Sequence, residues 1–179
     1  DAIDDDTALV LLTHVHFKTG AMWDMPAVTQ QVQQHGALMM WDLCHSVGAM
    51  PIHLDTANAD LAVGCTYKYL NGGPGSPAFV YVAKRLQSEF EQPLTGWLGH
   101  AKPFDFNDEY QGANGIQQAM CGTPPVLANA SLEVALDVML KADLTQVRHK
   151  SSHMGDLFIQ LVQQRCPWFE IGSPVDNAI

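Results

Sequence analysis

The chain has 179 residues, of which 47% are hydrophobic and 16% are charged, and its formal net charge is −10. This length and composition are typical of a soluble globular protein with one well-buried core. Only nine residues are Lys or Arg, which argues against a nucleic-acid partner, because a surface that tracks a phosphate backbone needs clustered cations. No stretch has the apolar length of a transmembrane helix.

The termini and the cysteines point to a reducing compartment. Residues 1–6 are acidic, whereas a secretory signal is basic and then apolar. The four cysteines are widely spaced and form no Cys-x-x-Cys pair, which predicts reduced, mostly core thiols and neither a disulfide framework nor a zinc site. We therefore expect a cytoplasmic protein. The chain does not begin with Met and stops just after an apparent strand start, so both ends are expected to lie inside a larger protein.

The first elements predict a βαβ unit. Residues 7–15 are apolar and β-branched and predict a strand. A helix is expected to follow, with Asp24 as its N-cap, Pro26 in its first turn and His35-Gly36 at its end. Residues 37–43 form a continuous hydrophobic run, which is typical of a strand in a buried parallel sheet. Two strands joined through a helix by short links predict parallel pairing.

The next stretch predicts further strands around a glycine-rich turn. Residues 45–50 suggest a short helix stopped by a proline, and residues 61–65 suggest a strand. Residues 71–75 carry a strong turn signal. Residues 78–83 predict a strand that pairs antiparallel, because its connection is too short for a crossover helix. Residues 84–90 follow a helical pattern.

The C-terminal half combines a long irregular segment with two helices. Residues 91–123 lack periodicity, and a loop of that length more often carries function than not. Helices are predicted over 124–140, opened by two prolines, and over 144–165. Residues 171–175 predict a further strand. Each helix has an apolar stripe expected to be buried, formed by Val126, Leu127, Ala130, Val134, Leu136 and Val138, and by Val147, Met154, Leu157, Phe158, Leu161 and Val162.

A lysine and an aspartate stand where two predicted strands end. Lys68 meets the glycine-rich turn, and Asp42 closes an earlier apolar run. One interpretation of Lys68 is a solvated loop lysine. The other is an amine used for covalent chemistry. Pyridoxal phosphate (PLP) enzymes pair such a lysine with an acid that keeps the pyridine nitrogen protonated, and the two residues together favour this second interpretation.

Three segments resemble the kynureninase family, which is related to the class V aminotransferases and cysteine desulfurases. They run from Asp42 to Ser46, from Gly64 to Gly75 and from Gly96 to His100, and the resemblance extends over nearly the whole chain. It implies an α/β fold, namely the three-layer α/β/α large domain of a fold-type-I PLP-dependent transferase with a mostly parallel sheet, incomplete at both ends.

The resemblance also implies a division of the chain. Residues 1–143 would be part of the PLP-binding large domain, and residues 144–166 would form a linking helix. Residues 167–179 would then begin a truncated small C-terminal domain.

The resemblance assigns roles to seven residues. Lys68 would bind PLP covalently and act as the base at the substrate Cα, and Asp42 would pair with the pyridine nitrogen. His45 would reach the cofactor ring or its phenolic oxygen. Tyr67 would direct its hydroxyl across the strand end toward the phosphate and donate a proton late in the reaction. Thr13 would also contact the cofactor. Trp97 and Thr123 would reach the phosphate of the cofactor bound in the neighbouring subunit.

Some of these positions have competing interpretations. Asp42 and His45 could be a helix N-cap and a surface histidine, and Tyr67 could be a packed strand residue. His14 and His16 alternate on one strand and could bind a metal, but no third ligand stands at a suitable spacing. His16-Phe17 and Leu98 depart from the family pattern, which expects Asn-Tyr and an aromatic residue there.

The implied activity is hydrolytic cleavage of L-kynurenine, or its 3-hydroxy analogue, to an anthranilate and L-alanine in tryptophan catabolism. The implied assembly is a homodimer with shared sites. One alternative is a cysteine desulfurase or class V aminotransferase. Another is a fragment of kynureninase that is catalytically incomplete.

Overall fold

The computed structural model describes residues 2–175. Over that range the main elements follow the chain as strands and helices, with short 3₁₀ turns at Lys84–Leu86, Trp97–Gly99 and Gly115–Ala119. The strands are β1 (Leu9–Thr13), β2 (Leu38–Asp42), β3 (Leu61–Cys65) and β4 (Ala78–Val82), and the helices are α1 (Met25–Gln34), α2 (Val126–Met139) and α3 (Leu144–Arg165).

The four strands form one sheet in the order β1-β2-β3-β4. β1, β2 and β3 are parallel, and β4 is antiparallel to β3, so both predicted pairings are confirmed. In the register, Thr13 lies opposite Asp42, and Asp42 lies opposite Val63. The carboxyl ends of the three parallel strands therefore meet at one edge of the sheet.

The core lies between one face of the sheet and α1. Met39 and Trp41 of β2 are fully buried there, together with Val32 of α1 and Ala62 of β3. The indole Nε1 of Trp41 donates a hydrogen bond to Thr29 Oγ1 of α1 at 3.0 Å. This bond satisfies two polar groups that burial would otherwise leave unpaired, and it orients the helix on the sheet.

Both ends of α1 follow from its sequence. The Asp24 carboxylate accepts a hydrogen bond from the backbone N–H of Ala27 at 3.0 Å, as an N-cap does. Gly36, just past the last turn, has φ +77°, which a residue with a Cβ rarely adopts. The predicted helix is thus confirmed at both ends.

Three local predictions were wrong. Residues 45–50 form turns with a bridge between Val47 and Met50, because Gly48 (φ +83°) leaves the helical region. Residues 84–90 give only the 3₁₀ turn Lys84–Leu86 followed by a hydrogen-bonded turn. Residues 171–175 are not a strand, since among the described residues no partner strand completes a ladder there.

The predicted burial of the two long helices was also wrong. α2 and α3 form where predicted, yet neither has a buried side chain. Leu127 is 87% exposed and Phe158 is 69% exposed. The stripes are those of buried helices, but within residues 2–175 no element covers them. None of the described helices is long and apolar enough to cross a bilayer.

The prediction that the cysteines are mostly core residues was wrong. Cys44, Cys65 and Cys166 are half-buried, and Cys121 is exposed. All four are free thiols in the structure. No group of three or more His, Cys, Asp or Glu side chains in residues 2–175 could hold a metal ion.

Candidate active site

Three of the predicted site residues lie at or just beyond the carboxyl edge of the parallel strands. Thr13 and Asp42 are the last residues of β1 and β2 and lie opposite one another in the register. Lys68 follows the end of β3 by three residues. Because neighbouring parallel strands end at the same edge, this edge is where an open α/β sheet can bind a ligand.

A tight loop holds Lys68 in place. The backbone N–H of Asn71 donates to the Lys68 carbonyl at 3.1 Å, and that of Gly72 donates to the Thr66 carbonyl at 3.0 Å. The buried hydroxyl of Thr66 donates to the carbonyl of Pro77 and accepts from Ser76, each at 2.5 Å. The glycine-rich segment is therefore folded back on the end of β3, and the lysine projects from a fixed backbone.

The amine of Lys68 lies 2.7 Å from His45 Nε2. An ammonium group has only donors, so in this bond Lys68 donates and the imidazole accepts at Nε2. Among the described residues, neither Lys68 nor Asp42 takes part in an ion pair. The amine therefore does not have to leave a carboxylate partner before it reacts, unlike a lysine in a structural salt bridge.

Cys44 fixes the orientation of Asp42. Its backbone N–H donates to Asp42 Oδ1 at 2.9 Å, and its thiol contacts both the Asp42 carboxylate and Cys65. Burial, followed by the hydrogen bonds to Asp42 and Cys65, raises the pKa of Cys44 to about 12. The thiol thus stays protonated as a donor beside the carboxylate and is a poor nucleophile.

A glycine brings the turn that carries His45 close to the lysine loop. A Cβ on Gly48 would lie 2.7 Å from the carbonyl oxygen of Tyr69, and φ at Gly48 is +83°. Both the close approach and the backbone angle require glycine. This contact explains how His45, on the segment after β2, reaches an amine on the segment after β3.

Phe17 is a site residue that the sequence did not predict. Its ring stacks on His45 with centroids 6.1 Å apart and an interplanar angle of 28°. The neighbouring His16 is held by Thr19 Oγ1, 2.9 Å from its Nδ1. The only sequence signal was the departure of His16-Phe17 from the family pattern, and that signal did not reveal the stacking partner.

Tyr67 lies on the same side as the amine. The Lys68 amine is 5.4 Å from the centroid of the Tyr67 ring, and the ring is 49% exposed. Residues 66–68 form a bend and not a strand, so consecutive side chains need not alternate. The Tyr67 ring thus lies beside the Lys68 amine, and the expected direction of its hydroxyl toward the phosphate stays a prediction.

Trp97 and Thr123 lie on neighbouring segments of the long irregular region. The Cα of Gly96 packs directly against the carbonyl of Cys121, which joins the two segments. Trp97 is half exposed, packs edge-on against Phe104 and lines a cleft of about 420 Å³. Among the described residues, no hydrogen bond, ion pair or ring contact joins Trp97 or Thr123 to Lys68, Asp42 or His45.

His14 packs behind the candidate site, and His16 is held by Thr19. His14 is only 6% exposed and packs edge-on against Trp41, and its Nδ1 has no hydrogen-bond partner among the described residues. Burial lowers the pKa of His14, and a hydrogen bond with the Trp23 backbone offsets part of that effect. The ring is therefore a neutral core residue behind the site.

Comparisons of the sequence with known proteins match the whole described chain. The model of the family described as aminotransferase class-V matches residues 1–175. Kynureninase from Burkholderia mallei (strain SAVP1) is 54% identical over 166 residues, covering 93% of this chain and 40% of that protein. Kynureninase from Pseudomonas fluorescens is 52% identical over 170 residues, covering 95% and 41%. The chain thus spans about 40% of the length of these curated relatives.

Solved structures share the fold at low sequence identity. An apo cysteine desulfurase from Thermococcus onnurineus NA1 superposes with a TM-score of 0.73 at 18% identity, covering 90% of this chain and 43% of that one. A mutant of C-DES with glycine covalently linked to its PLP cofactor gives 0.74 at 19% identity, covering 92% and 43%. These likenesses identify the α/β architecture of fold-type-I PLP enzymes, as the sequence predicted.

Proposed function

The chain belongs to the aminotransferase class-V family, and from this premise we propose that it forms the cofactor-binding part of a PLP-dependent kynureninase. The observation that carries the proposal is the Lys68 amine, free of any described ion pair, at the sheet edge it shares with Asp42. The choice of kynurenine rests on the 54% and 52% identity with proteins named kynureninase.

The residues at this edge fit PLP chemically. An amine without an ion-pair partner suits the cofactor aldehyde, and a carboxylate held by the backbone N–H of Cys44 suits a protonated ring nitrogen. The stacked pair of Phe17 and His45 offers a flat surface beside the amine. When bound, PLP supplies an electron sink for negative charge that develops at the substrate Cα.

Each residue has a specific task in this proposal. Lys68 holds the cofactor and, once released by substrate, takes the proton from Cα. Asp42 keeps the ring nitrogen protonated, and His45 positions the lysine amine by accepting its hydrogen bond. Tyr67, beside that amine, donates a proton late in the reaction. Thr13 contacts the cofactor from the end of β1.

The proposed reaction is hydrolysis of the Cβ–Cγ bond of L-kynurenine or 3-hydroxykynurenine. Water supplies the hydroxyl of the released anthranilate or 3-hydroxyanthranilate and, in net terms, the proton that Cβ gains as the amino-acid portion leaves as L-alanine. The enzyme is thus a hydrolase that acts on a carbon–carbon bond next to a ketone. We place it in tryptophan catabolism in the cytoplasm.

We also propose a homodimer with shared sites. Trp97 and Thr123 make no recorded contact with Lys68, Asp42 or His45 among the described residues. Both lie on the exposed irregular region, where they are available to a second subunit. In the proposed assembly each reaches the phosphate of the neighbouring cofactor.

A cysteine desulfurase is the main alternative, since such enzymes share the fold. That reaction needs a reactive thiolate near the cofactor. Of the four cysteines, Cys44 lies next to Asp42, and its pKa is raised to about 12. A thiol held protonated in this way does not favour sulfur transfer by Cys44. The choice of kynurenine cleavage over a desulfurase reaction rests on the identity with proteins named kynureninase.

Reductive labelling tests the cofactor assignment. Protein extended to the full length of the kynureninase relatives is incubated with PLP and reduced with borohydride, and the labelled lysine is located by peptide mass spectrometry. We expect the pyridoxyl group on Lys68, and we expect Lys68→Ala to lose it while remaining folded by circular dichroism. Lys84→Ala, which changes an exposed lysine of the 3₁₀ turn, is the matched control and should label normally. Labelling spread equally over several lysines would overturn the assignment.

Turnover tests the substrate. In protein extended to the full length of the kynureninase relatives, we expect an anthranilate and alanine from kynurenine, and no sulfide from cysteine. Lys68→Ala should abolish turnover, and Asp42→Ala should lose PLP affinity as well as rate. Near-normal turnover in Asp42→Ala would contradict the role given to that carboxylate.

A further inference from the structure

Two histidines stand on successive turns of α3, outside the lysine site. His149 and His153 are both exposed, and their ring centroids are 4.1 Å apart with an interplanar angle of 63°. Within residues 2–175, the two rings contact each other, and neither has a hydrogen-bond partner. Two imidazoles thus converge in water with their nitrogens available.

The helix sets the spacing of this pair. Residues four apart lie on one face of an α-helix with Cβ atoms about 5–6 Å apart. A divalent ion that bonds two imidazole nitrogens at about 2.0–2.1 Å needs those nitrogens about 3 Å apart. Rings already 4.1 Å apart reach that separation by side-chain rotation alone. The same spacing of two histidines on one helix supplies zinc ligands in metalloproteases.

We propose that His149 and His153 form a two-histidine chelate for a divalent transition-metal ion of the Zn²⁺, Ni²⁺ and Cu²⁺ class. Neutral imidazole suits these ions, whereas Mg²⁺ and Ca²⁺ prefer oxygen ligands. No third His, Cys, Asp or Glu among the described residues completes a cluster. Water therefore fills the other coordination positions, and the site is open and exchangeable.

Binding at this position acts on α3 itself. The ion joins two successive turns of a helix that has no buried side chain. An ion that binds the helical form and not the unfolded one stabilises the helix by mass action. The site depends neither on Lys68 nor on PLP, so a test of this metal site is independent of the proposed reaction.

Titration with Ni²⁺ alone tests the chelate on the 179-residue chain. Calorimetry in a buffer without metal ligands is run on wild type, on His149→Asn and on His153→Asn. We expect wild type to bind one more equivalent than either variant, with affinity at that site weakened at least about tenfold by each change. Because the four thiols are common to all three proteins, their contribution cancels in the comparison.

A relocated histidine is the matched control. Ser151→His combined with His153→Asn keeps the number of histidines but places them two residues apart, on different faces of the helix. This double variant should bind no better than His153→Asn. Equal isotherms for wild type and both single variants, or full binding by the relocated variant, would overturn the proposal. Far-UV circular dichroism checks that each protein keeps its helix.

Discussion

The hydrogen-bond partner of the Lys68 amine is the imidazole of His45 and not a carboxylate. A carboxylate would form an ion pair with the amine, whereas the His45 ring forms a hydrogen bond with it through Nε2. Asp42 is held separately through the N–H and thiol of Cys44. The Lys68 amine and the Asp42 carboxylate are thus positioned by different neighbours and do not pair with each other. Both can therefore bind one ligand.

His14 gives a residue-level prediction about pH. Burial lowers the pKa of His14 below its usual value of 6.5, so the folded chain resists a proton that the unfolded chain accepts. We therefore expect the free energy of unfolding to fall as the pH drops below about 6.5. His14→Leu and His14→Gln should both weaken this dependence, because neither side chain titrates.

Urea unfolding at pH 7.5 and at pH 5.5 measures the effect. Leu and Gln differ in polarity, so the two variants should differ in stability at either pH, yet share the shallower slope. A wild-type slope that both variants reproduce would show that His14 is not the titrating group. It would assign the acid sensitivity to other titrating groups, such as the remaining histidines.

Asp60 connects three elements beneath the sheet. It is 3% exposed, and its carboxylate accepts from the backbone N–H of Met39 at 2.8 Å, from Gln33 Nε2 at 3.0 Å and from Arg85 at 2.7 Å. α1, β2 and the turn after β4 are therefore held by one acidic side chain directly before β3. A buried carboxylate with this many donors is fully satisfied.

Loss of this carboxylate should be costly. Asp60→Ala leaves the buried N–H of Met39 without its acceptor. Arg85, whose side chain is 40% exposed, loses its ion-pair partner and keeps only its hydrogen bonds to backbone carbonyls. We expect a loss of about 3 kcal/mol in the free energy of unfolding. Asp55→Ala is the control, because that exposed carboxylate only accepts from Tyr81. It should cost less than about 1 kcal/mol. Equal costs in denaturant unfolding would refute the assigned role of Asp60.

Across the whole molecule, packing is concentrated in the sheet and α1. The face of the sheet toward α1 is buried, whereas Leu9 and Leu11 of β1 and Val80 of β4 on the other face are exposed. A three-layer α/β/α domain has helices on both faces of the sheet. Among the described residues, only the layer formed by α1 packs on the sheet. The exposed stripes of α2 and α3 add to an unusually apolar surface.

Local stability should follow this distribution. Elements with few buried apolar contacts open more readily than the core. In native-state hydrogen exchange we expect the amides of β2 and β3 to exchange slowest and those of α2 and α3 at least about tenfold faster. Saturation with Ni²⁺ should slow exchange in α3 and not in α2, if His149 and His153 chelate it. Protection of α2 and α3 equal to that of β2 would contradict this account.

The elements were predictable where the local signals agreed. Asp24, the apolar run before Asp42 and the glycine-rich turn each specify a cap, a strand or a loop through their own backbone preferences. The parallel order of the sheet followed from the handedness and length of the βαβ link. Residues 45–50 were mispredicted because their helical pattern gave way to Gly48 packing on the Tyr69 carbonyl, a contact between distant segments.

By itself, the sequence predicted which residues belong to the candidate site and which strand ends they follow, because strand, turn and cap signals are local. The tertiary structure alone decided that His45 accepts from Lys68, that Cys44 holds Asp42 and that Phe17 stacks on His45. It also decided that the apolar stripes of α2 and α3 are exposed within the described chain. Periodicity reports which face of a helix is apolar, but burial depends on whether another element reaches that face.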